Sequence, residues 1–203
     1  MSKQENDQKW FDYYNDLIRR KSNVDAFKKK YSTFFDLAAQ YFKTTDIIKE
    51  EGCGTGLASA CISNRVQPVS TIFSDINPLM ILLAQRSRRW VYSSLHDPLY
   101  AIEDMTKSNL DINNVFKLDN NVNIVTHGVL EHFNDEQLEA VLDRYRDNEK
   151  IKYSAHYVPL DGYTEKSFGD ERLLPAKFWL DKFKPIHWIV QNDKDLFFIC
   201  KHH

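Results

Sequence analysis

The chain has 203 residues, enough for one domain with a sizeable core and cramped for two. Its 42% hydrophobic and 28% charged content is that of an ordinary globular protein, and no apolar run approaches the roughly 18 residues of a membrane span. Lys plus Arg number 27 against 29 Asp plus Glu, a net charge of -2, so the basic excess of a strong nucleic-acid binder is missing.

Met1 to Lys9 is polar, without the apolar core of a signal peptide. Trp10, Tyr13, Tyr14, Leu17 and Ile18 then recur at helical spacing. A second helical stretch follows through Phe27, Tyr31, Phe34, Phe35, Leu37, Ala38 and Phe42, with Lys28, Lys29 and Lys30 on its wet side. Two N-terminal helices forming a cap over residues 1–45 are expected. From residue 46 the pattern becomes strand runs (46–51, 70–75, 98–103, 121–127, 150–157) alternating with helices (55–66, 78–92, 106–117, 135–147). Asn77-Pro78 reads as an N-cap followed by proline at the first helical position. Asn134 to Gln137 has the spacing of a capping box. Two further strand runs, 186–191 and 195–201, flank the turn residues Asn192, Asp193 and Lys194 and predict an antiparallel terminal hairpin. The expected fold is a single α/β domain over 1–203. Its core, 46–203, is a doubly wound, mostly parallel seven-stranded sheet with helices on both faces. Cys53, Cys61 and Cys200 include no C-x-x-C pair, which predicts reduced thiols, no structural zinc and a cytoplasmic setting.

Three of the six glycines, Gly52, Gly54 and Gly56, sit between the first core strand and its helix. Glycine there permits a tight turn and close approach of a ligand to bare backbone beside free helix N–H groups. That is the switch point of a doubly wound sheet, although the same turn can form with no ligand. Asp75, in Ser74-Asp75-Ile76-Asn77, ends the second strand, where an acid can accept hydrogen bonds from both ribose hydroxyls. Glu103-Asp104-Met105 ends the third, where a carboxylate can take an adenine amino hydrogen and a methionine can flank the ring.

Ile48-Lys-Glu-Glu-Gly-Cys-Gly-Thr-Gly56 resembles motif I of class I S-adenosylmethionine-dependent methyltransferases, an acid followed after one residue by G-x-G-x-G. Glu50 matches the acid, and Gly52, Gly54 and Gly56 match the glycines around Cys53. Thr126-His-Gly-Val-Leu-Glu-His-Phe133 looks like the family's V-L-E-H motif after the fourth strand, and the terminal hairpin agrees with its last two strands. Glu51 departs from the pattern, where an apolar residue is commoner. The resemblance implies S-adenosylmethionine as cofactor, held by Glu50, Gly52, Cys53, Gly54, Gly56, Asp75, Ile76, Asp104, Met105 and His127. A nicotinamide dehydrogenase fits less well, because its G-x-G-x-x-G places the third glycine one residue later and an acid before the turn would crowd a pyrophosphate. The phosphate-binding loop G-x-x-x-x-G-K-[ST] is absent.

A methyl donor needs little from the protein beyond alignment, so no obvious catalytic residue is required. His127, ending the fourth strand, and His156, ending the fifth, are the candidate bases or substrate-shaping groups. Glu131 and His132 are expected to fix the helix entry or line the cofactor cleft. The stretch from His156 to Leu174 has no clear period, and a loop this long in a compact domain points to function. Tyr157, Asp161, Glu171 and Arg172 are the candidate substrate residues. Asp170, Glu171 and Arg172 could equally form an ion-pair knot anchoring the helix that begins near Pro175. The histidines are scattered without H-E-x-x-H, so no metal is expected. The base-methylating element [DNS]-P-P-[YFW] and a Pro-Cys nucleophile are missing, which with the net charge argues against DNA. The V-L-E-H-type motif resembles a branch rich in small-molecule enzymes. A small-molecule acceptor is therefore expected, the alternatives being a protein or RNA methyltransferase, or a non-catalytic cofactor-binding module acting through a partner.

Overall fold

The computed structural model describes residues 3–91, 97–107, 120–164 and 171–203. Three helices come first: α1 (Lys3–Arg19), α2 (Lys21–Lys30) and α3 (Ser32–Ala39). The core follows as β1 (Ile47–Glu51), α4 (Leu57–Val66), β2 (Ser70–Asp75), α5 (Pro78–Val91), β3 (Leu99–Ile102) and β4 (Val122–His127). A 3-10 turn over Leu130–His132 leads to α6 (Asp135–Asp147), β5 (Ile151–Pro159), α7 (Ala176–Phe183), β6 (His187–Gln191) and β7 (Asp195–Lys201). The seven strands form one sheet in the order β3-β2-β1-β4-β5-β7-β6. All neighbours from β3 to β5 are parallel, and β7 is antiparallel to both β5 and β6. This is the expected doubly wound sheet with its terminal hairpin.

The second expected N-terminal helix is divided at Tyr31, whose φ of -104° and ψ of 15° interrupt the helical backbone. The bend brings Phe27 of α2 and Phe34 of α3 to the same ring, with centroids 5.2 and 5.9 Å from that of His127. The expected helix over 106–117 lies outside the described residues beyond Lys107. Among the described residues no helix is long and apolar enough to cross a membrane.

Period-2 alternation divides the core between the two faces. In β7, Phe197 and Ile199 join Phe34, Phe35 and Ile48 on the α3–α4 side, whereas Leu196, Phe198 and Cys200 join Tyr145, Trp179 and Phe183 on the α6–α7 side. Strand β1 is buried along its whole length although it reads Ile-Ile-Lys-Glu-Glu. Lys49 and Glu51 share the α6 face, where Glu51 accepts from Arg144 Nη1 at 2.7 Å and Tyr145 Oη at 2.8 Å and pairs with Lys49 Nζ at 3.0 Å. Lys49 in turn reaches Glu103 Oε1 at 2.6 Å. Two acids and two bases thus neutralise one another inside the fold, as buried charges must.

The caps form as their residues imply. Asn134 Oδ1 accepts from Gln137 N at 2.9 Å while Gln137 Oε1 accepts from Asn134 N at 3.0 Å, and Asn77 Oδ1 accepts from Leu79 N at 2.9 Å. Gly56 begins α4 with φ of +70°, and a Cβ there would stand 2.8 Å from the Phe73 ring. Gly56→Ala combines a left-handed backbone with overpacking. It is expected to lower unfolding stability by about 2 kcal/mol or more, read as a lower urea midpoint with unchanged slope. An unchanged midpoint would show that Phe73 moves aside at no cost.

Candidate functional site

The chain leaves β1 toward β2 and β3 on one side and returns to β4 and β5 on the other, so a crevice opens at the carboxyl ends of β1 and β4. The glycine turn fills its floor. Gly52 and Gly54 have φ of +65° and +50°. A Cβ on Gly52 would meet Val129 Cγ2 at 2.7 Å, and one on Gly54 would meet the Tyr14 ring at 3.1 Å, so only bare backbone fits. Cys53 N donates to Ser74 O at 2.9 Å and ties the turn to β2.

Above the turn lies a cavity of about 480 Å³, walled by Gly52, Gly54, Asp75, Ile76, Asp104 and Met105 among others. Asp75 accepts from Gly54 N at 3.0 Å and Asn77 N at 2.9 Å, which aims its carboxylate into the turn. The Thr106 hydroxyl (2.7 Å) and backbone N–H (3.0 Å) bond to Asp104 and hold its carboxyl below the usual carboxylate range. Glu103 also lines this cavity, and its Oε2 is buried with no hydrogen-bond partner among the described residues. Bare glycine backbone facing three acids suits a nucleoside that brings a cationic group and N–H donors, and it disfavours a pyrophosphate.

Four expected cofactor contacts, Glu50, Cys53, Gly56 and His127, do not line this cavity. Glu50 points to the α4 face, where its carboxyl accepts from Ser59 N at 3.0 Å, and burial pushes it up to about 8. The Cys53 side chain packs into a small cluster with Phe73, Ile81 and Ala84. Gly56 shapes the start of α4. Trp10, Tyr14, Asn77 and Gln137, which sequence reasoning missed, do line the cavity. The first two come from the cap, and nothing in their helical spacing said which core edge they would cover.

A second cavity of about 520 Å³ adjoins the first, sharing Trp10, Tyr14, Gly128 and His132 with it. His127 lines this second cavity rather than the first. Its ring sits 4.3 Å from the Tyr31 centroid and 4.7 Å from that of Tyr157, and burial pushes its pKa down to about 3. The imidazole therefore stays neutral, and its NMR shifts are expected not to titrate between pH 5 and 9. A midpoint near 6.5 would mean that water reaches the ring. Tyr157 lines the same cavity while its hydroxyl donates to Asp195 Oδ1 at 2.8 Å.

His156 lies on the other face of β5, hydrogen-bonded to Thr126 Oγ1 and Ser154 Oγ at 2.7 Å each and packed against Phe198 and Phe183. It lines neither cavity. Adjacent strand residues face opposite ways, so of this pair only Tyr157 turns to the cleft and His156 does not, contrary to the expectation for it. In the long loop, Glu171 lines the second cavity, but Asp161 is exposed and lines neither. Arg172 bonds to Phe133 O at 2.6 Å and Asp135 Oδ1 at 2.7 Å, anchoring the loop to the start of α6. This tie brings in an acid of α6, and Asp170, which the expected ion-pair knot includes, lies outside the described residues. Lys30 is not simply on a wet face: it too lines the second cavity.

No family model matches the chain, and no curated protein matches it in sequence. Solved structures do match. One is an S-adenosylmethionine-dependent methyltransferase from Clostridium acetobutylicum, with a TM-score of 0.63 and 13% identity, covering 96% of this chain and 98% of that one. Another is the N-methyltransferase NodS from Bradyrhizobium japonicum, at 0.60 and 14%, covering 87% and 97%. A third is magnesium protoporphyrin IX methyltransferase from Synechocystis with bound S-adenosylmethionine, at 0.57 and 13%, covering 92% and 84%. At such identities the likeness is one of fold, and the fold is the Rossmann-like one of class I methyltransferases.

Proposed function

We propose that the chain binds S-adenosylmethionine in the cavity above the glycine turn and transfers its methyl group to a small acceptor held in the neighbouring cavity. The observation that carries this reading is the shared wall. Gly128, His132, Trp10 and Tyr14 line both cavities, so a ligand in one abuts a ligand in the other. Cavities of this size enclose small molecules. The fold likeness to methyltransferases supports the same donor.

In this reading the backbone of Gly52 and Gly54 carries the amino-acid portion of the cofactor, and Asp75 takes the ribose hydroxyls. Ile76 and Met105 flank the adenine, and Asp104 takes its amino hydrogens. The cofactor supplies an electrophilic methyl group on a sulfonium. The chain's own part is to exclude water and to hold the acceptor atom in line, worth roughly 7–11 kcal/mol of barrier. His127, neutral and buried, acts as a wall and not as a base. Residues 1–45 serve as the cap of a single functional unit with 46–203. The three thiols, all free and buried, support a reducing, cytoplasmic setting.

Calorimetry with S-adenosylmethionine, S-adenosylhomocysteine and NAD tests the cofactor. Saturable binding of the first two and none of the third is expected. Binding of NAD alone would overturn the assignment.

A further inference from the structure

The second cavity carries information about the acceptor, on the premise that it is the acceptor site. Its wall is largely aromatic: Trp10, Tyr13, Phe27, Tyr31, Tyr157 and Tyr163 all contribute. Two carboxylates, Glu131 and Glu171, and one ammonium, Lys30, are the acidic and lysine groups of the wall among the described residues. The Lys30 ammonium stands 5.2 Å from the Tyr31 ring centroid and 5.5 Å from that of Tyr163. The chain's own amine thus occupies two of these aromatic faces, within the distance at which a ring face attracts a cation.

Glu131 marks where a second cation would go. Gly128 has φ of +68° and lines both cavities, and a Cβ built on it would stand 3.4 Å from Glu131 Oε1. The carboxylate thus lines the second cavity beside Gly128, the residue at the boundary between the two cavities. Its residue is 3% exposed, so its charge acts at low dielectric. An acidic acceptor would have to approach that boundary against Glu131, with Lys30 engaged on the rings of Tyr31 and Tyr163. A phenol or alcohol would bring no cation to the aromatic faces.

We infer that the acceptor is a small amine, cationic when it binds, with its nitrogen held by Glu131 at the boundary and its body among the aromatic rings. The nitrogen sheds one proton to water before reaction. Its lone pair then forms the N–C bond as the C–S bond of the sulfonium breaks, the bonding pair remaining on sulfur, so the positive charge passes from sulfur to the methylated nitrogen. A turnover limited by the neutral amine rises about tenfold per pH unit below the amine's own pKa.

Matched triplets test the inference: 2-phenylethylamine, 2-phenylethanol and 3-phenylpropionate, then hexylamine, hexanol and hexanoate. Each is titrated into the protein with and without S-adenosylhomocysteine, and methylated products are sought by mass spectrometry after incubation with S-adenosylmethionine. The amine of each triplet is expected to bind on the order of tenfold more tightly than its partners, the size of one hydrogen bond to a charged group. In E131Q that preference is expected to vanish while affinity for S-adenosylhomocysteine changes by less than about threefold. Equal binding within triplets, preference for the carboxylates, or no binding by either amine overturns the inference. A preference that survives in E131Q removes Glu131 from it. The wild-type triplets decide without any variant, and the S-adenosylhomocysteine titration judges the cofactor site separately.

Discussion

Glu51→Gln is expected to cost about 3–5 kcal/mol of unfolding stability, the usual effect of breaking a buried ion pair from one side. Glu51 is fully buried and is the shared partner of Lys49, Arg144 and Tyr145. Glutamine keeps the shape and removes the charge, leaving two buried cations with Glu103 alone. The same group sets an acid limb. Burial pushes the Glu51 carboxyl up, but Lys49 and Arg144 outweigh it and hold it at about 2. An unfolded carboxyl titrates near 4.5, so the unfolded state binds the proton first as pH falls. The stability Glu51 contributes is therefore complete above pH 4.5 and lost progressively as pH drops through 2. Chemical denaturation of wild type and variant from pH 7 to pH 3 should show the difference shrinking toward the acid end. A constant or growing difference would contradict the pairing.

Asp75→Ala is expected to weaken S-adenosylhomocysteine binding about tenfold to a hundredfold, as loss of charge-assisted hydrogen bonds contributing roughly 1.5–3 kcal/mol requires. The structure adds a second consequence. Asp75 also holds Gly54 N and Asn77 N, so alanine frees the glycine turn as well as removing the proposed ribose contact. Asp75→Asn separates the two effects, because its amide oxygen can still accept one of these N–H groups. It should bind less tightly than wild type while melting closer to it than the alanine variant does. An unchanged dissociation constant in folded Asp75→Ala would remove Asp75 from the site.

Most strand limits were legible because local signals agree with the fold. Turn residues at Asn192 and Asp193 adopt φ of 54° and 55° between β6 and β7, and the cap at Asn134 fixes the start of α6. Glu51 read as a departure because a buried ion network leaves no trace in hydropathy: its partner Arg144 lies 93 positions away. Sequence gives the period of a strand but not its phase, so it cannot say which of His156 and Tyr157 faces the cleft. The cap was the least legible part. The break at Tyr31 follows from packing on His127 and Tyr157, contacts that helical spacing does not encode. For the same reason Trp10, Tyr14 and Lys30 emerged as cavity walls only once the cap was seated on the sheet.

The central claim is that one cavity holds the methyl donor and its neighbour the acceptor. A crystal structure with S-adenosylhomocysteine tests it most directly. The ligand is expected above Gly52 and Gly54, with its ribose on Asp75, its adenine between Ile76 and Met105 near Asp104, and its sulfur toward Gly128 and the second cavity. Density for the ligand elsewhere, or a sulfur facing away from that cavity, would contradict the account.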